Sequence, residues 1–205
     1  MRMLRYAYEK LLERRISRGK VPRCIAIVLP AGDPRSEGWR RVDHLVGWCE
    51  SVRVWGIILF MGDCGPGYLE PLVSELRDLA AEISVHTADE DIELGTGGPV
   101  RLVISLGYGG KREVAEAIGK LLEDVESGLV DPEEIDEAMI EAKLRFKYRP
   151  DLVIRAGGRQ LSDFMIWQAA YSELYFTDVN WDAMRKIDFL RAIRDYQQRE
   201  RRFGK

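Results

Sequence analysis

Apolar runs typical of strands alternate with helical patterns along most of the chain. The apolar runs predict buried strands, at residues 24–29, 54–61, 83–86, 101–106 and 152–155. Apolar residues at helical spacing predict helices, near 36–52, 69–82, 111–127, 132–144, 163–174 and 183–200. Asp131 and Pro132 favour a helix start, because a capping aspartate precedes a proline at the first helical position. This alternation predicts a single α/β domain with a central, mostly parallel sheet flanked by helices on both sides, with ligands bound at the carboxyl ends of the strands.

The first 23 residues differ in charge from the rest of the chain. They hold eight basic and two acidic residues, although the whole chain has a net charge of −3. Apolar residues at helical spacing predict an amphipathic helix here, namely Leu4, Ala7, Tyr8, Leu11, Leu12 and Ile16. We therefore divide the chain into a basic N-terminal helix (1–23) and a domain (24–205). Two interpretations of the helix stay open: it packs on the domain with a solvated basic face, or it docks on an anionic membrane surface.

The composition narrows the classes of function. A length of 205 residues fits one domain with a sizeable core, and the net charge of −3 argues against a nucleic-acid-binding protein. No apolar run approaches the roughly 18–20 residues of a membrane span, and the charged start does not resemble a signal peptide. Three scattered cysteines and two distant histidines argue against a zinc site and suggest reduced thiols. We expect a cytoplasmic protein, and one bound peripherally to a membrane if the helix docks there.

The turn after the last predicted strand has the composition of an anion site. The strand ends on Arg155, two glycines and Arg159 follow, and Ser162 opens the next predicted helix. Guanidinium groups, flexible backbone amides and a helix N-terminus all favour anions. The sequence therefore predicts a site for a phosphate or a diphosphate at the carboxyl end of this strand.

The predicted helix 163–174 carries an acidic residue, Glu173, close to several aromatic side chains. A carboxylate in such surroundings is costly unless it is paired with a cation or holds a metal ion. We expect Trp167 and Tyr171 of the same helix in the apolar core rather than at a ligand.

Residues 151–178 resemble the cis-prenyltransferases, which are also called undecaprenyl or polyprenyl diphosphate synthases. The segments IRAGGRQLSDFMIWQ and AYSELYFTD carry the match, and the C-terminal RERRFG also fits the family's pattern. The segment GYGGKREV is similar to another family motif, although Gly107 stands where the family usually has asparagine and Lys111 where it has arginine. The resemblance implies a magnesium-dependent (Mg2+) transferase that condenses isopentenyl diphosphate with an allylic diphosphate.

The same resemblance implies roles for individual residues. Arg155 and Ser162 would hold the diphosphate of isopentenyl diphosphate, and Glu173 would help to hold Mg2+. The family's second arginine has no clear counterpart, because Gln160 occupies its position. Arg159 is the alternative candidate for that contact.

The C-terminal tail resembles a family element that crosses a dimer interface. Arg202 and Gly204 match the arginine and glycine of that element, which completes the isopentenyl diphosphate site of the partner. The resemblance therefore implies either a homodimer or a heteromer with a catalytic cis-prenyltransferase subunit.

The first strand and its following loop depart from the family pattern. Family members end this strand on an aspartate that is essential for catalysis, and Pro30 stands there in this chain. Most of the loop that binds the allylic diphosphate is absent. Arg35 resembles a later phosphate-binding arginine of the family, but Trp39 replaces the histidine that follows it.

Three hypotheses remain open after this departure. The chain could be a subunit that works beside a full-length catalytic partner, as the noncatalytic subunits of dehydrodolichyl diphosphate synthase do. It could instead be a noncatalytic protein that binds or senses an isoprenoid diphosphate. A third hypothesis is a compact catalyst in which Asp33 or Asp63 replaces the missing aspartate, although both are also typical of ordinary surface turns.

Overall fold

The computed structural model describes residues 2–29, 41–62, 67–157 and 163–199. Its strands are β1 (Cys24–Leu29), β2 (Gly56–Met61), β3 (Glu82–His86), β4 (Asp91–Leu94), β5 (Arg101–Leu106), β6 (Leu152–Ala156) and β7 (Glu173–Thr177). Its α-helices are α1 (Arg2–Ile16), α2 (Val42–Val52), α3 (Leu69–Leu76), α4 (Gly110–Glu126), α5 (Glu137–Lys143) and α6 (Lys186–Gln198). Short 3-10 turns occupy Pro132–Glu134 and Trp181–Ala183.

The strands form one sheet in the order β4-β3-β5-β2-β1-β6-β7. Neighbouring strands are parallel except for β3 and β4, which are antiparallel. All residues of the central strands β1 and β2 are buried, as expected for parallel strands that are covered on both faces. The predicted fold class, an α/β domain with a mostly parallel sheet, is confirmed.

Alternate strand residues point to opposite sides of the sheet and build two apolar cores. On one side, which we call the α6 face, Ile27 and Ile154 pack in a core with Phe189 of α6 and with residues of α1, α2 and α3. On the other side, which we call the Phe164 face, Val28 packs in a core with Phe164. The remaining buried members of that second core are Cys24, Ala26, Ile58, Phe60, Val103, Tyr108, Phe146, Val153 and Met165.

The predicted helix 163–174 is wrong. A series of turns occupies 163–171, and Glu173–Thr177 forms strand β7, which pairs in parallel with β6. Met165 has a positive φ of 39°, which interrupts helical geometry. The segment ELYFT is rich in residues that favour strands, and pairing with β6 satisfies its backbone groups. Tertiary pairing therefore overrode the local helical spacing.

Two smaller differences concern β4 and the predicted helix 132–144. β4 was missed because its four residues alternate between acidic and apolar at a half-exposed edge. The helix is split into the 3-10 turn at Pro132 and the later α5. Asp131 does cap the first piece by accepting a hydrogen bond from the Glu133 amide, but Asp136 caps a second start through the Met139 amide. Two competing N-caps therefore break the predicted helix.

Candidate functional site

Arg155 lies at the carboxyl end of the sheet, between two neighbouring strands. Its register partners are Val28 of β1 and Phe176 of β7. One guanidinium nitrogen, Nη1, donates to the carbonyl oxygen of Val28 at 3.1 Å and to that of Ala156 at 3.3 Å. These bonds hold the charged group above the ends of β1 and β6, where the sequence predicts anion binding.

A pocket with mostly apolar walls opens beside Arg155 on the Phe164 face. Its empty volume is about 360 Å3, including the open mouth. The residues that line it with Arg155 are Val28, Val153, Phe164, Ala169, Leu174, Tyr175 and Phe176. A guanidinium group beside apolar walls suits a small molecule with an anionic head and a hydrocarbon body.

The turn after β6 requires a glycine. Gly157 has a φ of 69°, in the left-handed region that favours glycine, and its amide donates to the Thr177 carbonyl at 3.0 Å. A Cβ atom at this position would lie 2.8 Å from Oδ1 of Asn180. The chain then leaves the described ranges, so Arg159 and Ser162 lie outside the described residues. The same holds for Pro30, Asp33, Arg35 and Asp63, and for the tail residues Arg202 and Gly204.

The turn between β5 and α4 touches the segment 163–171 directly. The amide of Gly110 donates to the carbonyl of Asp163 at 2.6 Å. A Cβ atom on Gly110 would lie 2.5 Å from that oxygen and 2.9 Å from the amide nitrogen of Ile166. This close approach of two backbones explains the glycine at this position. The two family-like motifs therefore form one piece of structure beside the pocket.

A buried polar network, which sequence analysis missed, also holds the segment 163–171 in place. Glu113 of α4 is only 2% exposed, and its carboxylate accepts hydrogen bonds from the Phe146 amide at 2.7 Å and from Nε2 of Gln168 at 3.0 and 3.1 Å. Nε2 of Gln168 also donates to the Phe146 carbonyl at 3.0 Å. Glu113 and Gln168 both lie in the family-like segments, but neither segment alone indicates that they meet. The network holds the turns that carry Phe164 and Ala169 into the pocket wall.

Tyr108 and Glu116 form a second polar pair on this side of the sheet. The Tyr108 hydroxyl donates to Oε2 of Glu116 at 2.5 Å. Burial raises the pKa of Tyr108, and the bond to Glu116 raises it further. The same bond lowers the pKa of Glu116, against a smaller opposing effect of burial. Arg145 lies over the Tyr108 ring, 4.7 Å from its centroid, which adds a cation–π contact.

Glu173 does not lie with Arg155 within one chain. It pairs with Leu152 at the amino end of β7, whereas Arg155 pairs with Phe176 three residues further on, roughly 10 Å along the strand. Strand alternation also points Glu173 to the side opposite Phe176. Its carboxylate faces Nη1 of Arg199 on the α6 side at 3.3 Å.

The described residues do not fit a magnesium site by themselves. Among them, no group of three His, Cys, Asp or Glu side chains is close enough to hold a metal ion. The contact between Glu173 and Arg199 is the cation pairing that the sequence offered as the alternative to a metal. We therefore derive no step through the ion, and Glu173 as a metal ligand stays a prediction.

Tyr171 is on the surface and not in the core, so that expectation is wrong. It is 67% exposed, and Trp167 is only partly buried. Ile166, in the same turns, and Phe176, on β7, are also exposed. The turns that replace the predicted helix direct Ile166 and Tyr171 outward, and both line one groove with Trp167, whereas Phe176 lies at the mouth of the pocket beside Arg155.

Comparisons with known proteins agree on one family. The family model described as "Putative undecaprenyl diphosphate synthase" matches residues 67–204. The chain is 30% identical to the tritrans,polycis-undecaprenyl-diphosphate synthase (geranylgeranyl-diphosphate specific) of Methanocaldococcus jannaschii, over 97% of this chain and 88% of the relative. It is 32% identical to the isoprenyl transferase of Thermus thermophilus, over 100% of this chain and 97% of the relative. These alignments extend over 248 and 254 positions, so internal segments of both relatives have no counterpart in the 205 residues of this chain.

A solved structure gives the same answer for the fold. Lavandulyl diphosphate synthase from Lavandula x intermedia, in complex with dimethylallyl diphosphate, is similar to this chain with a TM-score of 0.75. The identity is 22%, and the match covers 90% of this chain and 99% of the other.

Proposed function

Because the chain belongs to the undecaprenyl diphosphate synthase family of cis-prenyltransferases, we propose that it takes part in condensing isopentenyl diphosphate with an allylic diphosphate. The observation that carries the proposal is Arg155 beside an apolar pocket at the carboxyl ends of the strands. The diphosphate would bind the guanidinium group, and the branched hydrocarbon would enter the pocket. Serine and arginine from the following turn, Ser162 and Arg159, would complete the diphosphate site.

Prenyl transfer requires three chemical changes at the site. The bond between the allylic carbon and its diphosphate breaks, a carbon–carbon bond forms, and a proton leaves the isopentenyl unit. Mg2+ would supply electrostatic stabilisation of the departing diphosphate. Glu173 stays only a predicted Mg2+ ligand, because within one chain its carboxylate pairs with Arg199 and points to the side of the sheet opposite Phe176. The described residues contribute orientation, because the turns held by Gln168 and Glu113 keep Phe164 in the pocket wall.

A partner chain fits this function better than a lone catalyst. Pro30 stands where the family has its essential aspartate, so the ionisation step lacks its usual carboxylate. The exposed Ile166 and Tyr171, which line one groove, offer an apolar surface that a second chain would cover. We propose a dimer, either of two copies or with a catalytic subunit, and Arg202 and Gly204 would reach the partner's isopentenyl diphosphate site.

The replacement by Pro30 also favours a second candidate function. A noncatalytic protein that binds an isoprenoid diphosphate would keep Arg155 and the pocket but would give no product. The purified protein should therefore be incubated with labelled isopentenyl diphosphate, an allylic diphosphate and Mg2+. Elongated product would make Asp33 and Asp63 the next residues to substitute. Binding without product, together with recovery of activity on adding a partner that retains the aspartate, would identify a subunit.

Arg155→Ala tests the site in either case. We expect binding of isopentenyl diphosphate to weaken about 10- to 100-fold in calorimetric titration, because a charge-assisted contact is lost. Arg155→Lys should recover only part of the affinity, since an ammonium group lacks the planar donor geometry. Arg194→Ala, which removes an exposed arginine from α6, is the control. Wild-type affinity in Arg155→Ala would exclude this residue from the site.

A further inference from the structure

Helix α1 presents one face to the protein and a different one to the solvent. Leu12 and Ile16 are buried in the core of the α6 face, and Nε2 of Gln197 donates to the Ile16 carbonyl at 2.8 Å. The acidic residues of the helix also turn inward. Glu13 is 7% exposed and pairs with Lys10 at 3.0 Å and with Lys186, and Glu9 is partly buried.

The solvent-facing side of α1 combines exposed apolar and basic side chains. Met3 is 87% exposed, and Tyr6 and Leu11 are also exposed. Four of the eleven large apolar side chains that are exposed in the described ranges lie on this one helix. We define the outer face of α1 by Met3, Tyr6, Lys10, Leu11, Arg14 and Arg18, which is in the turn directly after the helix.

A basic groove continues this face toward α2. Its lining residues are Tyr6, Lys10, Glu13, Arg14, Ser17, Arg18 and Ser51. Three cations and three hydroxyl groups therefore surround an open groove, and the one acid, Glu13, is already neutralised by Lys186 and Lys10. Such a lining suits the phosphate group of a lipid.

The charge of the chain is divided unevenly along its sequence. Residues 1–23 carry eight basic and two acidic side chains, whereas the other residues carry 23 basic and 32 acidic ones. An anionic surface would attract the N-terminal helix and repel the remainder, which orients the molecule. The exposed Met3 and Leu11 favour a lipid surface over a nucleic acid, because aliphatic side chains insert among lipids but do not bind the phosphates of a nucleic acid.

We propose that the outer face of α1 docks on an anionic bilayer. Met3, Tyr6 and Leu11 enter the boundary between headgroups and acyl chains, and Lys10, Arg14 and Arg18 lie at the level of the lipid phosphates. The helix lies on the surface and does not cross it. No helix among the described residues is long and apolar enough to span a membrane, and α1 has 15 residues.

Sedimentation with lipid vesicles tests the proposal on the full chain, independently of any prenyl transfer. We expect binding to phosphatidylcholine vesicles that contain 30% phosphatidylserine and little binding to pure phosphatidylcholine, at roughly physiological salt. Arg14→Glu with Arg18→Glu should lower the partition coefficient about 100-fold, since it reverses two charges near the surface. Met3→Ser with Leu11→Ser should lower it roughly tenfold or more by removing the inserted apolar groups.

Matched controls decide between docking and general charge attraction. Arg77→Glu with Arg194→Glu reverses the charge of two exposed residues, one at the end of α3 and one on α6. This variant should bind vesicles as the wild type does. Circular dichroism and thermal melting establish that all variants are folded. Absence of binding by the wild type, equal loss in the control pair, or unchanged binding in the Met3 and Leu11 variant would each overturn the proposal. Complete displacement from the vesicles by a short DNA duplex would also overturn it.

Discussion

The two faces of the sheet are built from the same strands but bury different kinds of side chain. On the α6 face, β1, β2, β5 and β6 contribute only apolar side chains, and the helices that cover them add more. The Phe164 face receives Ser105 and Arg155 from those strands, and Glu113 and Gln168 are buried over it. Three of the four buried polar side chains in the described ranges, Ser105, Glu113 and Gln168, therefore lie on one side.

This asymmetry separates stability from chemistry. An apolar core gains stability from every buried methylene, so the α6 face can be filled without polar groups. Buried polar groups cost free energy unless they are fully paired, and they define one geometry when they are. The Phe164 face accepts that cost around the pocket beside Arg155, where side chains have to be held in fixed positions for a ligand.

The largest expected difference between the faces concerns two phenylalanines. Phe189 is completely buried in the α6 face, so Phe189→Ala should lower the free energy of unfolding by about 3–5 kcal/mol. Phe164 lines the pocket, so part of the volume that Phe164→Ala removes adds to existing empty space and the loss should be smaller. Urea denaturation of both variants measures the difference.

Ligand binding should respond in the opposite order. Phe164→Ala should weaken isopentenyl diphosphate binding, whereas Phe189→Ala should keep wild-type affinity under conditions where it is folded. Equal losses of stability, or a larger effect of Phe189→Ala on affinity, would remove the distinction between the faces.

The buried network on the Phe164 face should produce an intermediate effect. Glu113→Ala leaves the Phe146 amide without its acceptor and leaves Nε2 of Gln168 with the Phe146 carbonyl alone, and we expect a loss of about 2–3 kcal/mol in unfolding free energy. A double-mutant cycle with Gln168→Leu measures the coupling. If the two losses were simply additive, the network would not act as a unit. The exposed Glu123→Ala on the same helix is the control and should change stability little.

Sequence patterns predicted the central strands well because each is mainly apolar, without interruption in β1 and β2 and with a single internal serine in β5. They failed at β7, where the residues around Trp167 and Tyr171 have helical spacing but the backbone of Glu173–Thr177 pairs with β6. Local spacing does not show that β6 would pair with another strand. The sequence therefore placed Glu173 in a helix instead of in β7. The prediction of Arg155 as an anion ligand followed from a local rule, that strand ends gather ligands. The contact of Glu113 with Gln168 joins residues 55 positions apart, which no local pattern contains.

The smallest expected effect comes from Tyr108 and depends on pH. Its hydroxyl donates to Glu116 and lowers the pKa of that carboxyl below its ordinary 4.5. A carboxyl group whose pKa is lowered by folding stabilises the folded state at pH values above its unfolded pKa. This contribution is lost as the pH falls through the lower pKa of the folded state. Tyr108→Phe should therefore lower the free energy of unfolding by about 1 kcal/mol at pH 7, and the difference from the wild type should shrink between pH 4.5 and more acidic values.

Glu116→Gln provides the matched control for this last effect, because it removes the titrating group and keeps a hydrogen-bond acceptor. In that background Tyr108→Phe should cost the same at pH 7 and at acidic pH. Urea denaturation over this pH range measures both comparisons. A constant cost of Tyr108→Phe in the wild-type background would mean that the hydroxyl does not favour the charged carboxylate. The fixed polar contacts of the Phe164 face would then come from its buried side chains, among them Glu113 and Gln168, since Glu116 is partly open to solvent.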